Sequence, residues 1–410
     1  MSFALATQTP TPPLSYLEID LGALSANVAA FRSRVGPDVA ICGVVKKNAY
    51  GHGAVTVAHR LAKAGCAMLG VFAPAEADEL GAGAVTTPLL LLYPLRHLTR
   101  SEGAFRAAVA GRLHLTVQDV QQLEQLEEMG RAYAMTWPVH LYVDTGMSRA
   151  GLTAAQLPDV LEKVAGMKHV VLAGVMSHLA TADTDGERAT EQAAVFAALI
   201  ETHGGSWGKD VTVHLANTFG TLRGGVLHGA TGVWSQSPQM IRPGLGLYGY
   251  GEAGLAGVEA PTVATLKPAL RWVSRVISAG CYERGATVGY GATHKLRRAT
   301  TLGLVPVGYG DGYPLALSNR ALVRVRVGEQ WHEAPVRGRV NMDQISIDLT
   351  DLVKATGLSA TADLRGLEVE LYASDPAAPN TVERLAALAK SHVYELLCRL
   401  PKEMTRVYLK

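Results

Sequence analysis

Eight short apolar runs, several of them separated by stretches with helical periodicity, most constrain how this 410-residue chain can fold. They are Ala40–Val45, Ala67–Phe72, Pro88–Tyr93, Leu113–Val117, Pro138–Asp144, His169–Leu179, Val211–Asn217 and Gln239–Gly249. Runs that are apolar throughout are typical of parallel strands covered on both faces. Eight strand–helix units predict an α/β fold built on a (β/α)8 barrel of the TIM type. A doubly wound open sheet is the alternative, but no GxGxxG follows the first strand.

The pattern changes after about residue 262, where β-forming residues alternate or cluster between Gly and Asp turns. The segments are Arg271–Ala279, Thr301–Val307, Ala321–Val327, Val340–Leu349 and Leu367–Tyr372, followed by a helical pattern over Thr381–Leu400. We therefore predict a flexible tail over residues 1–13, the barrel over 14–262, and a mainly antiparallel β domain over 263–410.

Composition restricts the partners of the protein. The 38 Lys and Arg nearly balance the 36 Asp and Glu, which gives no reason to expect nucleic acid or an anionic membrane as a partner. The longest apolar stretch, around Pro88–Leu95, is too short to span a bilayer, and the Thr- and Pro-rich start lacks the features of a secretion signal. The four cysteines are scattered without metal-binding spacing. These features predict a cytoplasmic protein without a bound metal.

Lys46 follows the first barrel strand, at the barrel end where functional groups are found. Alternation along the strand puts Cys42, Val44 and Lys46 on one face, so we expect Lys46 to point into the barrel mouth. A desolvated lysine there can form a Schiff base with an aldehyde. Alone, such a lysine would more often be a surface residue at a strand end.

Later strands are followed by further residues suited to binding charged groups. Arg149, after the fifth strand, can bind a carboxylate through two parallel hydrogen bonds. Thr218, after the seventh, can donate its hydroxyl and backbone N–H to a phosphate. Backbone N–H groups near Gly244 and Leu245 can form a phosphate cradle, as barrels often have after strands seven and eight. His178, after the sixth strand, would by itself more often be structural.

Seven motifs, in order from about Tyr16 to Tyr408, resemble those of the alanine racemase family. VVKKNAYGHG is similar to the signature of the lysine that carries pyridoxal 5'-phosphate (PLP), except at Lys47, where a small residue is usual. DTGMSRAG is similar to the family's DTGM-x-R-x-G. The resemblance implies that PLP is bound by Lys46, Tyr50, Arg149, His178, Asn217, Thr218, Arg242, Gly244 and Leu245.

Arg242 matches the arginine that faces the pyridine nitrogen of PLP in this family. Because arginine is effectively always protonated, it leaves that nitrogen without a proton. The ring is then a weaker electron sink, which should disfavour side reactions such as transamination. This arginine also argues against a decarboxylase with a related fold. In those enzymes an acidic group faces the pyridine nitrogen.

The resemblance also assigns a second base to the β domain. Tyr290, in VGYGAT, matches the family's catalytic tyrosine, which reaches the site of the partner subunit and so implies a homodimer with shared active sites. Tyr309 matches a tyrosine that lines the site, and the Met342 backbone N–H is expected to hold the substrate carboxylate. The implied reaction interconverts L- and D-alanine, with Lys46 deprotonating the D form and Tyr290 the L form.

Three positions near the substrate or its route depart from the family pattern. Tyr142 replaces a lysine, often carbamylated, that bonds Arg149 in many members, so another group must orient Arg149, such as the phenol or an anion. Asn341 stands where cysteine is common, and Leu315 where arginine is usual. A racemase of broader specificity, for serine or basic amino acids, is therefore the nearest alternative.

Two readings outside racemase chemistry are weaker. A non-catalytic PLP-binding protein would need no second base, and the β domain supplies one. A metal-dependent hydrolase barrel should have His and Asp ligands after several strands, whereas only His178 and His214 follow strands here.

Overall fold

The computed structural model describes residues 13–224, 237–251, 266–358 and 363–410. The chain forms two compact units, Leu21–Ala269 and Leu270–Lys410, and the N-terminal strand β1 (Tyr16–Asp20) belongs to the second. Residues 1–12 of the predicted tail and the predicted domain boundary at 262 lie outside the described residues.

The first unit contains a closed barrel of eight parallel strands, which confirms the predicted fold class. The strands are β2 (Val39–Val44), β3 (Met68–Val71), β4 (Leu89–Leu91), β5 (Leu113–Val117), β6 (Trp137–Tyr142), β7 (Val170–Met176), β8 (Thr212–His214) and β9 (Gln239–Ile241). Each overlaps one of the eight predicted runs. Pairing of β9 with β2 closes the barrel.

Helices precede and connect these strands. They are α1 (Leu21–Val35), α2 (Lys46–Tyr50), α3 (Ala54–Lys63), α4 (Pro74–Ala82), α5 (Gly103–Val109), α6 (Val120–Tyr133), α7 (Leu157–Ala165), α8 (Gly186–His203) and α9 (Thr218–Arg223). In α6 and α8 an aspartate caps the first turn: Asp119 accepts from the Gln122 N–H (2.8 Å) and Asp185 from the Arg188 N–H (3.1 Å). No helix among the described residues is long and apolar enough to cross a membrane.

The barrel interior has an apolar half and a polar half. The apolar half is a buried cluster from β2, β3, β4 and β9, formed by Cys42, Met68, Leu90 and Met240. The polar half comes from β5, β6 and β8, which contribute His114, His140 and His214. The barrel is therefore filled by side chains, and its polar half lies toward Arg242.

The second unit is a sheet of nine strands in the order β11-β14-β17-β16-β15-β18-β10-β1-β19, with a separate β12–β13 pair. Its further strands are β10 (Leu270–Arg275), β11 (Ser278–Tyr282), β12 (Thr287–Val288), β13 (His294–Lys295), β14 (Thr300–Val305), β15 (Leu322–Val327), β16 (Gln330–Arg337), β17 (Ile345–Asp348), β18 (Glu368–Tyr372) and β19 (Arg406–Leu409). The described neighbours pair antiparallel except β1 and β19, as predicted for a mainly antiparallel domain. Its helices are α10 (Thr350–Thr356), α11 (Val382–Ala389) and α12 (Val393–Cys398).

Two predictions about the second unit were wrong in detail. The segment Tyr16–Asp20, which we assigned to the barrel domain, pairs with β10 and β19 instead. The helix predicted over Thr381–Leu400 is two helices, because Lys390 takes a left-handed conformation (φ 54°) that ends α11 and His392 is extended.

Candidate active site

The segment after β2 takes a left-handed course. β2 ends two residues before Lys46, so strand alternation does not decide where this side chain points. Residues 47–50 all have φ between 51° and 54°, a conformation that is costly for residues other than glycine. Glu76 holds this turn: its carboxylate accepts the N–H of Lys47 (2.8 Å) and that of Phe72 (2.6 Å). The backbone directly after Lys46 is thereby tied to the start of α4.

Tyr50, Thr218 and Gly244 come together after β2, β8 and β9. A Cβ on Gly244 would lie 2.4 Å from the Tyr50 hydroxyl, so a glycine is needed for this approach. The Thr218 hydroxyl accepts the N–H groups of Gly244 (3.0 Å) and Gly246 (3.1 Å). Since both of its lone pairs are engaged, its hydrogen remains to be donated. The Gly244 N–H, expected at a phosphate, is thus bonded to Thr218, and Leu245 opens the next helical turn.

Contacts between aromatic rings support Tyr50, and a helix cap supports Thr218. The ring of Tyr248 lies 4.8 Å from that of Tyr50 and 4.6 Å from that of His52, centroid to centroid. The Tyr248 hydroxyl donates to the Val44 carbonyl (2.8 Å). Asn217 caps α9, as its side-chain oxygen accepts the N–H of Gly220 (2.9 Å). Asn217 therefore orients the first turn of α9, where Thr218 lies.

Arg242 directly follows β9, is buried, and forms hydrogen bonds through both Nη1 and Nη2. Nη1 lies 2.7 Å from His214 Nδ1, and Nη2 donates to the carbonyl oxygens of Ser177 (2.6 Å) and Leu215 (3.2 Å). Nη2 is also 3.4 Å from His178 Nδ1. Burial lowers the pKa of Arg242 to about 10, which leaves the guanidinium protonated at neutral pH. Among the described residues no carboxylate bonds to it.

His178 lies among cations. Burial first, and then the charges of Arg242, Arg149 and Lys46, lower the pKa of His178 well below its usual value. The imidazole is therefore neutral at neutral pH, and the three cations act on one small region at the barrel mouth. The groups in this region fit PLP, which carries an aldehyde and an anionic phosphate. They are the Lys46 amine, the cations Arg149 and Arg242, and the hydroxyls of Tyr50 and Thr218.

The loop after β6 folds around Asp144, whose carboxylate accepts the N–H groups of residues 146–148 at 2.8 to 2.9 Å. Burial acts to raise the pKa of Asp144, but these bonds and the charge of Arg149 lower it overall. The Tyr142 hydroxyl donates to Met147 Sδ (3.9 Å). Among the described residues no hydrogen bond joins this phenol to Arg149, so the structure does not support the phenol as the group that orients Arg149.

The sequence-predicted residues of the second unit line one cavity of about 580 Å³. It is lined by Tyr290, Tyr309, Leu315, Arg339, Val340, Asn341, Met342, Asp343 and Gln344. Tyr290 is 72% exposed and lies on a short 3-10 turn after β12. This cavity brings Tyr290, Tyr309 and Met342 together within the β unit.

Two backbone bonds join the motifs on either side of this cavity. The N–H groups of Tyr309 and Gly310 donate to the carbonyls of Asn341 and Met342, both at 2.9 Å. A Cβ on Gly308 would lie 2.2 Å from the Met342 carbonyl oxygen. Glycine at 308 thus permits the contact that sets Tyr309 beside Met342.

Sequence reasoning did not single out His114 and His140, which connect to His214 inside the barrel. A signal was present. A histidine between two apolar residues, as Leu-His-Leu or Val-His-Leu, occurs in or beside β5, β6 and β8. Because side chains alternate along a strand, each of these histidines points to the face opposite its two apolar neighbours.

Comparison with known proteins gives one family over the whole chain. Residues 19–252 match the N-terminal domain of alanine racemase, and residues 269–408 its C-terminal domain. A relative from Symbiobacterium thermophilum, named alanine racemase, is 32% identical over 96% of this chain and 97% of its own length.

Solved structures agree with this match. Alanine racemase from Streptomyces lavendulae superimposes with a TM-score of 0.81 at 30% identity, covering 98% of both chains. Alanine racemase from Bartonella henselae, described with covalently bound pyridoxal phosphate, has a TM-score of 0.77 at 26% identity and covers 97% of this chain and 100% of its own. The chain therefore belongs to the alanine racemase family, as its motifs predicted.

Proposed function

We propose that this protein interconverts L- and D-alanine with PLP as its cofactor, using Lys46 and Tyr290 as its two bases. The observation that carries the proposal is the group of Lys46, Arg149 and Arg242 around a neutral His178, in a chain related over its full length to alanine racemases. The relatives and structures described above are all alanine racemases, which favours alanine over serine or basic amino acids. They likewise favour an enzyme over a non-catalytic PLP-binding protein.

Residues of the barrel would hold PLP. Lys46 would bind its aldehyde carbon, the hydroxyls of Tyr50 and Thr218 its phosphate, and Arg242 its pyridine nitrogen. Asn217, Gly244 and Leu245 would shape the phosphate end, and the His178 ring would pack on the cofactor without adding a charge. When bound, PLP withdraws electrons from the amino acid and so acidifies its Cα–H.

The chain's own residues would then bind the substrate and move one proton. The Arg149 guanidinium and the Met342 N–H would bind the alanine carboxylate, and Tyr309 would line the approach. Inversion requires that a proton leave one face of Cα and return on the other, which a base on each face can accomplish. Lys46 Nζ would take the proton from D-alanine, and the Tyr290 hydroxyl from L-alanine.

We place Tyr290 in the site of a partner subunit. Its 72% exposure, together with that of Met342 (56%) and Tyr309 (47%), supports a surface that another protomer covers. Active sites would then exist only in a homodimer, and each would draw one base from each subunit.

Chiral product analysis of the purified protein tests this function. L-alanine, L-serine and L-arginine are each incubated with the protein, with and without added PLP, and Lys46→Ala protein is the control. We expect D-alanine to form fastest and to approach an equal mixture, only with PLP present. No D-alanine from PLP-loaded protein, or faster inversion of serine or arginine, would contradict the proposal.

A further inference from the structure

Three histidines form a hydrogen-bonded chain across the barrel interior that ends on Arg242. Arg242 Nη1 lies 2.7 Å from His214 Nδ1. His214 Nε2 lies 2.8 Å from His140 Nδ1, and His140 Nε2 lies 3.0 Å from His114 Nδ1. His114, His140 and His214 have no part in the reaction proposed above.

The arginine fixes the direction of every bond in this chain. A guanidinium can only donate, so His214 Nδ1 must accept and His214 must carry its proton on Nε2. That proton is donated to His140 Nδ1, and by the same reasoning the Nε2 proton of His140 is donated to His114 Nδ1. The reverse order would leave His214 with no ring proton at all. The negative end of each imidazole dipole, at the unprotonated Nδ1, therefore points toward Arg242.

The same geometry keeps all three imidazoles neutral. A proton added to any Nδ1 would face an N–H donor and break the chain. Burial lowers the pKa of His114, His140 and His214, and the charge of Arg242 lowers the pKa of the last two further.

Gly174 makes the chain possible. Strand β7 lies between β6 and β8, and Gly174 is the residue of β7 that pairs with His140. A Cβ at this position would lie 2.2 Å from His140 Nδ1, the atom that accepts from His214, and 2.8 Å from the Thr212 carbonyl oxygen. Any side chain at 174 would therefore displace the His140 ring from its partner.

We infer that the His114–His140–His214 chain is a positioning element that keeps the Arg242 guanidinium oriented and charged through aligned neutral dipoles. The remaining partners of this guanidinium among the described residues are carbonyl oxygens and the His178 ring, and its charged neighbour Arg149 is repulsive. A carboxylate would orient Arg242 too, but would cancel its charge. Neutral acceptors leave the full positive charge to act on a ligand. The part that concerns PLP rests on the proposed function.

Ring-15N histidine labelling of the holoenzyme tests the direction of the chain. Long-range 1H–15N spectra, assigned with single His→Gln variants, should show His114, His140 and His214 as neutral Nε2–H tautomers that do not titrate between about pH 6 and 8. An Nδ1–H tautomer or a titrating imidazole at His140 or His214 would overturn the inference. The spectra can also be recorded without PLP, so a failure of PLP binding would contradict the proposed function separately.

Gly174→Ala tests what the chain does, without removing a histidine. The matched control is Gly70→Ala on β3, where a Cβ would approach the Val44 side chain to 3.3 Å and no backbone atom closer than 3.6 Å. Gly174→Ala should abolish the His140–His214 signature and speed PLP release about tenfold, as expected for the loss of a hydrogen bond that supports a charged group. Gly70→Ala should retain both. Unchanged release in Gly174→Ala, or equal effects in the two variants, would overturn the positioning role.

Discussion

The two units hold their candidate residues in opposite ways. In the barrel, Arg242 and Tyr50 are only 4% and 6% exposed, and each contacts residues from other strands or loops. In the β unit, Tyr290 and Met342 lie on an open cavity and are mostly exposed. The barrel therefore offers a preorganised cationic pocket, whereas the β unit offers a polar and aromatic surface.

The difference fits the two tasks that we propose for these residues. A charged cofactor that stays bound is held best by groups whose orientation is set before it arrives. A second base that belongs to another subunit must lie at a surface until the two subunits meet. Substitutions in the two units should therefore have different effects, and we expect the largest at Lys46.

Replacing Lys46 by alanine should remove the covalent bond to PLP and lower racemisation on the order of 10⁴-fold, because one residue supplies both the amine and a base. Intact-protein mass after reduction with borohydride and the visible absorption of bound PLP measure this. Lys47→Ala is the matched control, since this neighbouring lysine is exposed and should retain PLP and activity. Equal activity of the two variants would remove Lys46 from its proposed role.

Replacing Tyr290 by phenylalanine should lower racemisation about 10² to 10⁴-fold while PLP binding is retained, because only a general base is lost. Solvent deuterium uptake into alanine, measured separately from each enantiomer, should be lost mainly from L-alanine. The control is Tyr282→Phe, which alters another exposed tyrosine of the same unit. Near-normal turnover of Tyr290→Phe would contradict its assignment as a base.

Gly308→Ala should disturb the β cavity alone. The added Cβ would meet the Met342 carbonyl at 2.2 Å, so Tyr309 and Met342 would separate and kcat/KM for alanine should fall about tenfold. Gly280→Ala, whose Cβ would make only an ordinary 3.4 Å contact, is the control. PLP retention should be unchanged in both variants, and loss of PLP from Gly308→Ala would break the proposed division of tasks.

Stability should fall as the pH drops below about 6.5. Burial is the main cause that lowers the pKa of His114, His140, His178 and His214 in the folded barrel. The unfolded chain takes up protons on these residues below about pH 6.5 while the folded chain does not, so each lowers the free energy of unfolding by up to about 1.4 kcal/mol per pH unit.

Urea unfolding at about pH 7.5 and about pH 5.5 measures this dependence. His114→Leu should make the dependence shallower, because one proton-binding site is removed from the unfolded chain. A free energy of unfolding that stays constant or rises toward pH 5.5 would contradict neutral histidines in the barrel.

The barrel could be predicted from the sequence because runs such as Ala67–Phe72 are apolar at every position, as expected for strands covered on both faces. Strand β16 was missed because Gln330–Arg337 contains polar residues and Pro335, which disfavour a strand unless neighbouring strands hold it. Strand β19 has four residues and depends on its pairing with β1, from the far end of the chain. Pairing with neighbouring strands decided both elements, with the adjacent β15 for β16 and with the distant β1 for β19.

The candidate site likewise has features that the sequence indicates and contacts that it does not. Lys46, Arg149 and Arg242 could be named as candidates because each lies in a short motif after a barrel strand. The left-handed turn after Lys46 depends on Glu76, and the bond from the Gly244 N–H to Thr218 joins residues that follow two different strands. The histidine chain depends on the absence of a side chain at Gly174. Local sequence does not contain these contacts.

Mixing two inactive variants tests most directly whether each active site takes Lys46 from one subunit and Tyr290 from the other. Lys46→Ala and Tyr290→Phe proteins are unfolded together, refolded with PLP and assayed for D-alanine formation. In a mixed dimer with shared sites, one site carries both changes and the other carries neither, so roughly a quarter of native activity should return. If both bases came from one chain, every site would keep a defect and the mixture would stay inactive, which would contradict the account.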